Sequence, residues 1–170
     1  MSKAFTRESD ESGEELPSFR PQLPPGARNY ITRRGADQLK DKLDQLLQKR
    51  SAWSAAAKNA GTAWEADRQT TEAVIRRIQL VLQTMVVAEI PANPQKIAFG
   101  AEVTLRRGNG EEEVYQIVGV EETDPEKGLI SWISPLARAL LSHKAGEKVR
   151  FASPAGNDQL TILRVHYPAT

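Results

Sequence analysis

The residue types that most often carry catalysis are scarce in this chain of 170 residues. It has no cysteine, which excludes disulfides, thiolate metal sites and thiol nucleophiles. Its two histidines, His143 and His166, lie far apart and fit no metal-ligand pattern, so we interpret them as solvated or sheet-edge residues. Neither a P-loop nor a dinucleotide-binding fingerprint is present. The sequence therefore predicts no intrinsic catalytic residue, metal site or cofactor.

Two acidic side chains, Glu65 and Asp67, follow a short break at Asn59–Thr62 in an otherwise helical pattern. Thr62 and Glu65 match a T-x-x-E capping box, which satisfies the first amides of a helix. Asp67 is also favoured near a helix N-terminus by the helix dipole. Both acids can therefore be explained as residues that stabilise the start of a helix. The same positions would also let them present negative charge to a partner.

Basic side chains along the same helical region form a second candidate site, a patch of Lys49, Arg50, Arg76 and Arg77. Residues 30–88 carry ten bases and six acids, whereas residues 89–170 carry nine bases and eleven acids. This asymmetry suggests that the helical part faces an anionic surface. The patch is either a solvated helix face or a contact for nucleic-acid phosphates, which would depend steeply on salt.

The elements that position these charges are two helices joined at the break. Thr32 is a suitable N-cap, and Leu39, Leu43 and Leu46 are spaced by four and three residues, as in a coiled-coil seam. Arg50 interrupts the seam and is interpreted as snorkelling out of it. The return helix carries an apolar stripe of Val74, Ile75, Ile78, Val81, Leu82 and Met85. We predict an antiparallel hairpin over residues 30–90 with its tip near 59–65, a rod of about 40 Å.

The remaining segments differ in composition. Residues 1–29 are rich in Ser, Glu and Pro and are predicted to be a disordered or extended tail. Residues 91–98 form a linker, and residues 99–170 form a second domain of strands and turns. Predicted strands are Ala101–Arg106, Glu113–Val120, Leu129–Ile133, Lys148–Phe151 and Leu160–Tyr167. A short helix capped by Ser134, with Pro135 at its first position, crosses this sheet. The fold class is therefore α+β, with a twisted antiparallel sheet.

Ordered motifs in this second domain resemble those of a known family. The run Ile130–Leu141, followed by Gly146 and by Ser153–Gly156, resembles the C-terminal domain of the bacterial transcription elongation factors GreA and GreB. The opening Ile31–Gly35 is similar to the start of their N-terminal coiled coil. The resemblance extends from Tyr30 to Tyr167 and is closest to GreB.

This resemblance implies an FKBP-like second domain that docks on the rim of the RNA polymerase secondary channel. The matching docking residues are Ser134, Pro135, Leu136 and Arg138. Ile133 belongs to the same docking motif but stands where the cleavage factors usually have Asp or Asn. The coiled coil of the family enters the channel, where acidic tip residues help to hold the catalytic Mg²⁺ of the polymerase, which cleaves backtracked RNA. Carboxylates suit this role because they are hard ligands. For the basic patch of Lys49, Arg50, Arg76 and Arg77, the solvated helix face and the contact with RNA phosphates both stay open.

The tip departs from the Asp-x-x-Glu-Asn pattern of the cleavage factors. Thr62 stands at the Asp position and Ala66 at the Asn position, while Glu65 keeps the Glu. Each hairpin arm is also about one turn shorter, which removes roughly 5 Å of reach. Because a hydroxyl cannot replace a charged metal ligand, we expect an elongation regulator with weak or no stimulation of transcript cleavage.

Several alternatives remain open at this point. The protein could be a conventional cleavage factor in which Glu65 and Asp67 act together, or a shorter-hairpin polymerase-binding regulator similar to Rnk. Prolyl isomerase activity is disfavoured, because few aromatic residues are available for a proline pocket and fold does not imply function. In each polymerase-binding case the chain is an accessory factor and not an enzyme. We expect a monomeric, cytoplasmic protein, since no apolar run is long enough for a membrane span.

Overall fold

The computed structural model describes residues 23–56, 62–89, 91, 94–153 and 156–168. Several sequence-based predictions fall outside these ranges: the structure of residues 1–22, the break at Asn59–Gly61, and the turn at Pro154–Ala155. The backbone of Thr62 is described as the first residue of a helix, but its side chain is not. The predicted capping box of Thr62 and Glu65 therefore stays a prediction.

Two long helices, α1 (Arg33–Ala56) and α2 (Thr62–Thr84), pack against each other. Thr32 caps α1, since its hydroxyl accepts a hydrogen bond of 2.9 Å from the Gly35 amide, which confirms the predicted N-cap. The seam on α2 is buried at Thr71, Ile75, Ile78 and Val81. On α1 the seam leucines are only half-buried, as expected for a rod of two helices.

A small parallel sheet closes the base of the two helices. Strand β1 (Asn29–Ile31) pairs with β2 (Met85–Val87). The assignment of Met85 to the helical stripe was therefore wrong, and Asn29, the last residue of the predicted disordered or extended tail, is the first residue of β1. Helix α2 ends at Thr84 because the β-branched residues Val86 and Val87 pair with β1, whose Ile31 is fully buried.

The second domain is a five-stranded sheet with the order β5-β4-β3-β7-β6. Its strands are β3 (Glu102–Arg106), β4 (Glu112–Val118), β5 (Leu129–Ser131), β6 (Lys148–Ser153) and β7 (Gly156–His166). The predicted α+β class is confirmed, but the sheet is mixed, because β5 runs parallel to β4. Two short 3-10 helices, Val120–Glu122 and Pro125–Lys127, form the connection from β4 to β5. Val120 therefore does not extend β4 as predicted.

The core of this domain lies between the sheet and a short helix, α3 (Pro135–Leu140). Leu105, Ile117, Leu140 and Ile162 have no exposed surface within it. Leu136, Ala139 and Leu141 pack against this cluster and are partly buried, as their helical spacing predicts. Among the described residues no helix is long and apolar enough to cross a membrane.

Candidate functional site

The acid closest to the hairpin tip, Glu65, is bound to a cation of its own helix. Arg68 donates two hydrogen bonds to its carboxylate, from Nε at 3.1 Å and from a terminal nitrogen at 2.7 Å. The two residues are three positions apart and therefore share one helix face. The hydrogen bonds from Arg68 lower the pKa of the Glu65 carboxyl below its ordinary value. Glu65 is thus ionised at neutral pH, and its charge is matched locally.

A tryptophan pair holds the arms together beside this ion pair. The rings of Trp53 on α1 and Trp64 on α2 meet edge to face, with centroids 6.3 Å apart. The Arg68 guanidinium lies 5.8 Å from the centroid of the Trp64 ring, within the range of a cation–π contact. This contact adds to the ion pair in fixing the position of Arg68, so the cation that neutralises Glu65 is itself held in place.

The second predicted tip acid, Asp67, is paired across the hairpin. Lys49 on α1 donates a hydrogen bond of 2.8 Å to its carboxylate, and about half of each side chain is exposed. One and a half turns farther along α2, Glu72 lies 3.7 Å from Arg50. Every acid of α2 within the described residues therefore has a basic partner. Neither predicted tip acid is left as an unpaired carboxylate.

The predicted basic patch is dispersed among these and other ion pairs. Lys49 and Arg50 pair with acids of α2, and Arg77 binds Glu121 of the second domain at 3.1 Å. Arg76 is exposed and has no ion pair among the described residues. The structure therefore does not bring the four residues together as one unpaired patch, and a contact with RNA stays a prediction.

The predicted docking residues form one continuous segment, which we call the 133–138 segment. The Ser134 hydroxyl accepts a hydrogen bond of 3.1 Å from the Ala137 amide, and Pro135 is the first residue of α3. These two residues thus fix the local backbone, as capping predicts. Leu136 is partly buried against the core, whereas Arg138 is exposed in the last turn. Pro135 and Arg138 are the exposed residues of the segment, and Arg138 is the one that carries a charge.

The 133–138 segment is linked to the hairpin base through an aromatic cluster. Trp132, which precedes the segment, meets the ring of Tyr30 in β1 edge to face, with centroids 5.7 Å apart. Tyr30 also lies against Phe99, at 5.9 Å. The hairpin base therefore packs against the residue that directly precedes the segment, so side chains from both domains meet beside it.

Glu122 lies in the junction between the hairpin and the second domain, where β1 and the start of α1 meet the loop after β4. Its role was not predicted from the sequence. It accepts hydrogen bonds from the Thr32 amide at 2.9 Å, from the Thr32 hydroxyl, and from the Gly119 amide at 3.0 Å. Glu122 thereby ties the N-cap of α1 to the loop after β4. Ninety positions separate Glu122 from Thr32, so no local pattern pointed to the pair.

Comparison with known proteins identifies the family. The C-terminal model of the GreA/GreB transcription elongation factors matches residues 92–167. Transcription elongation factor GreB of Neisseria meningitidis is 35% identical over 156 residues, which cover 82% of this chain and 94% of that protein. The chain belongs to the GreA/GreB family. Transcription elongation factor GreA of Vibrio cholerae is 36% identical over 151 residues, covering 81% of the chain and 96% of that factor.

A solved GreA/GreB structure from Nitrosomonas europaea covers 82% of the chain and all of its own length. Its sequence identity is 20% and its TM-score is 0.41, so the family assignment depends on the sequence relatives and not on this likeness. The family named from the motifs Ile130–Leu141 and Ile31–Gly35 is thus confirmed. Within this family member, the 133–138 segment and the hairpin tip are the two candidate sites.

The Glu122 contacts give a first testable prediction. Glu122→Gln is expected to lower the free energy of unfolding by about 1–3 kcal/mol, because the amide nitrogen of Gln cannot accept from the partly buried donors that the carboxylate now satisfies. Urea unfolding followed by circular dichroism measures the change. Glu89→Gln, which neutralises an exposed carboxylate after β2, is the matched control and should be nearly neutral. Equal effects of the two substitutions would contradict the assigned role.

Proposed function

We propose that this protein binds bacterial RNA polymerase at the secondary channel and regulates transcription elongation with little or no stimulation of transcript cleavage. The family relationship supports the association with the polymerase. Docking would use the 133–138 segment, and the hairpin would enter the channel. The protein would act as a cytoplasmic monomer and would itself catalyse no reaction.

One observation carries the weak-cleavage part of this proposal: the acids near the tip are paired within the chain. Glu65 is bound by Arg68 and Asp67 by Lys49, while Thr62 occupies the position where the cleavage factors have Asp. To assist a polymerase Mg²⁺, a carboxylate must turn a free oxygen lone pair toward it. Here the charge of each carboxylate is matched by a neighbouring cation. No group of three or more His, Cys, Asp or Glu that could hold a metal occurs among the described residues.

Cleavage of RNA in backtracked elongation complexes tests the proposal. We expect a rate within about twofold of that of the polymerase alone, with Glu65→Gln and Asp67→Asn leaving it unchanged. The matched control is Asp44→Asn, which removes one negative charge from an exposed position of α1. Strong stimulation at concentrations near that of the polymerase, lost in Glu65→Gln but kept in Asp44→Asn, would establish the conventional cleavage factor instead.

Polymerase binding is predicted to depend on Arg138. Arg138→Ala is expected to weaken the affinity roughly two- to fivefold, the range of a single exposed ion pair. Because Arg138 is exposed and lies outside the core, the unfolding midpoint should not change. Competition binding to labelled polymerase measures the effect.

Arg150→Ala is the control for this prediction, since it removes an equally exposed arginine from β6, away from the 133–138 segment. The proposed docking surface would be wrong if both variants bound the polymerase as tightly as the unmodified chain. It would also be wrong if Arg150→Ala weakened binding to the same extent.

A further inference from the structure

A cleft of 680 Å³ lies between the base of the hairpin and the second domain. Helix α1 supplies one wall through Arg33, Arg34 and Lys42, and the region around Glu121–Asp124 supplies the other. Arg34, Gln38 and Lys42 follow one another at intervals of four residues, so they lie along a single face of α1. The cleft is separate from both the hairpin tip and the 133–138 segment.

The acids of this cleft are already occupied. Glu121 binds Arg77, Glu122 accepts from Thr32 and Gly119, and Asp124 binds Lys127 at 2.5 Å. The partners named here are Arg77, Thr32, Gly119 and Lys127, so none of these contacts involves Arg33, Arg34 or Lys42.

The cations of the α1 wall have no such partners. Among the described residues, Arg33, Arg34 and Lys42 have no hydrogen bond or ion pair from their side chains. Three unmatched positive charges therefore line one wall of a polar cleft. An anionic group bound at this wall would offset the electrostatic repulsion among the three positive charges. The cleft is therefore suited to an anionic ligand or chain segment.

The chain itself carries an anionic segment a short distance in sequence before the residues that line this cleft. Residues 8–15 contain five acids and no base, namely Glu8, Asp10, Glu11, Glu14 and Glu15. Only residues 16–22 separate this segment from Leu23, where the described part of the chain begins, and an extended stretch of that length spans up to about 23 Å. The chain turns at Pro24–Ala27, where the Ala27 amide donates to the Pro24 carbonyl, and then reaches Thr32 at the edge of the cleft.

We propose that the acidic segment 8–15 lies in this cleft against Arg33, Arg34 and Lys42. Covalent attachment gives the segment an effective concentration in the millimolar range, so a contact too weak to form between separate molecules can be populated within one chain. Charge complementarity supplies the attraction. The bound segment would cover three cations at the hairpin base and so keep them from other polyanions. The proposal does not depend on polymerase binding.

The lack of cysteine makes a direct test simple. Ser12→Cys places a single thiol in the middle of the acidic segment of the full chain, and a nitroxide spin label is attached to it. Paramagnetic broadening of amide signals in the ¹⁵N-labelled protein then reports which residues the segment approaches. We expect broadening over residues 33–42 at about 0.01 M salt and its loss near 1 M, because the Debye length falls from about 30 Å to 3 Å.

Charge variants separate a specific contact from general attraction. Combined Arg33→Ala, Arg34→Ala and Lys42→Ala should abolish the broadening over residues 33–42. The control combines Lys144→Ala, Lys148→Ala and Arg150→Ala, which removes the same charge from exposed positions of the second domain and should leave the broadening intact. Neutralising the tail acids as Gln and Asn provides an independent variant that leaves the folded domains untouched.

Three results would overturn the proposal. The first is broadening confined to residues 23–32, next to the tail, or spread evenly over the surface. The second is broadening over residues 33–42 that survives neutralisation of the tail acids. The third is broadening over residues 33–42 of the same strength when spin-labelled ¹⁴N chain is mixed with unlabelled ¹⁵N chain. In that mixture only contacts between molecules can broaden the signals, so this result would show that the segment reaches a second molecule instead.

Discussion

Replacing Thr62 by Asp and Arg68 by Met in one chain is expected to raise transcript cleavage in backtracked complexes about tenfold or more. The first change places a carboxylate at the position where the cleavage factors have one. The second removes the guanidinium that now binds the Glu65 carboxylate with two hydrogen bonds. Two free carboxylates near the Mg²⁺ of the polymerase would stabilise developing charge, an effect whose removal from active sites costs about 10²–10³ in rate. Methionine keeps a long unbranched side chain over Trp64 and a good helix propensity.

Two comparison variants decide which change is responsible for the gain. Thr62→Asn combined with Arg68→Met has the same shape as the active combination but lacks the new charge, so its rate should not exceed that of Arg68→Met alone. Arg68→Met alone should give a smaller gain, since only Glu65 is released. If the combined variant binds the polymerase normally and still gives no gain, the missing carboxylate does not explain weak cleavage. The shorter hairpin would then be the limiting feature.

Gly119→Ala is expected to destabilise the junction between the hairpin and the second domain by about 1–3 kcal/mol, the usual cost of forcing atoms into a packed site. A Cβ at this position would collide with the backbone carbonyl of Tyr30 and would lie 2.9 Å from the Glu122 carboxylate. The backbone angles at Gly119 are ones that alanine adopts freely, so the whole effect should come from this close approach. Urea unfolding gives the free-energy change.

Gly108→Ala is the control, because no atom lies within 4 Å of a Cβ built at Gly108. It should have an unfolding free energy close to that of the unmodified chain. Distances between spin labels on α1 and on β6, measured in the frozen state, should broaden in Gly119→Ala if the junction sets the direction of the hairpin. Unchanged stability and unchanged distances in Gly119→Ala would show that the loop after β4 moves away from β1 at no cost.

Local patterns in the sequence were sufficient for much of the fold. The spacing of Leu39, Leu43 and Leu46 predicted a helix, and the hydroxyl of Thr32 predicted its start, because both depend on residues within a turn or two. The Ser134 cap and the inward face of α3 were predictable for the same reason. The family followed from ordered motifs such as Ile130–Leu141, and the sequence relatives confirm it.

Predictions failed where pairing partners are distant in the sequence. Met85 was placed in a helix because its spacing continues the apolar stripe, yet β2 forms there by pairing with β1, more than fifty positions earlier. The orientation of β5 was also missed, since strand patterns carry no information about the direction of a neighbour. The role of Glu122 could not be predicted from the sequence, because its two donor residues belong to different elements: Thr32 caps α1 and Gly119 follows β4.

For the candidate site, the sequence by itself determined which charges are present near the tip: Thr62 in place of an acid, with Glu65 and Asp67 close by. Only the tertiary structure decided what those charges contact. Lys49 reaches Asp67 because two helices bring residues eighteen positions apart within 2.8 Å. Arg68 lies over the ring of Trp64, which in turn meets Trp53 of the other arm. Charge is a property of each residue, whereas its neutralisation depends on distances that exist only once the chain has folded.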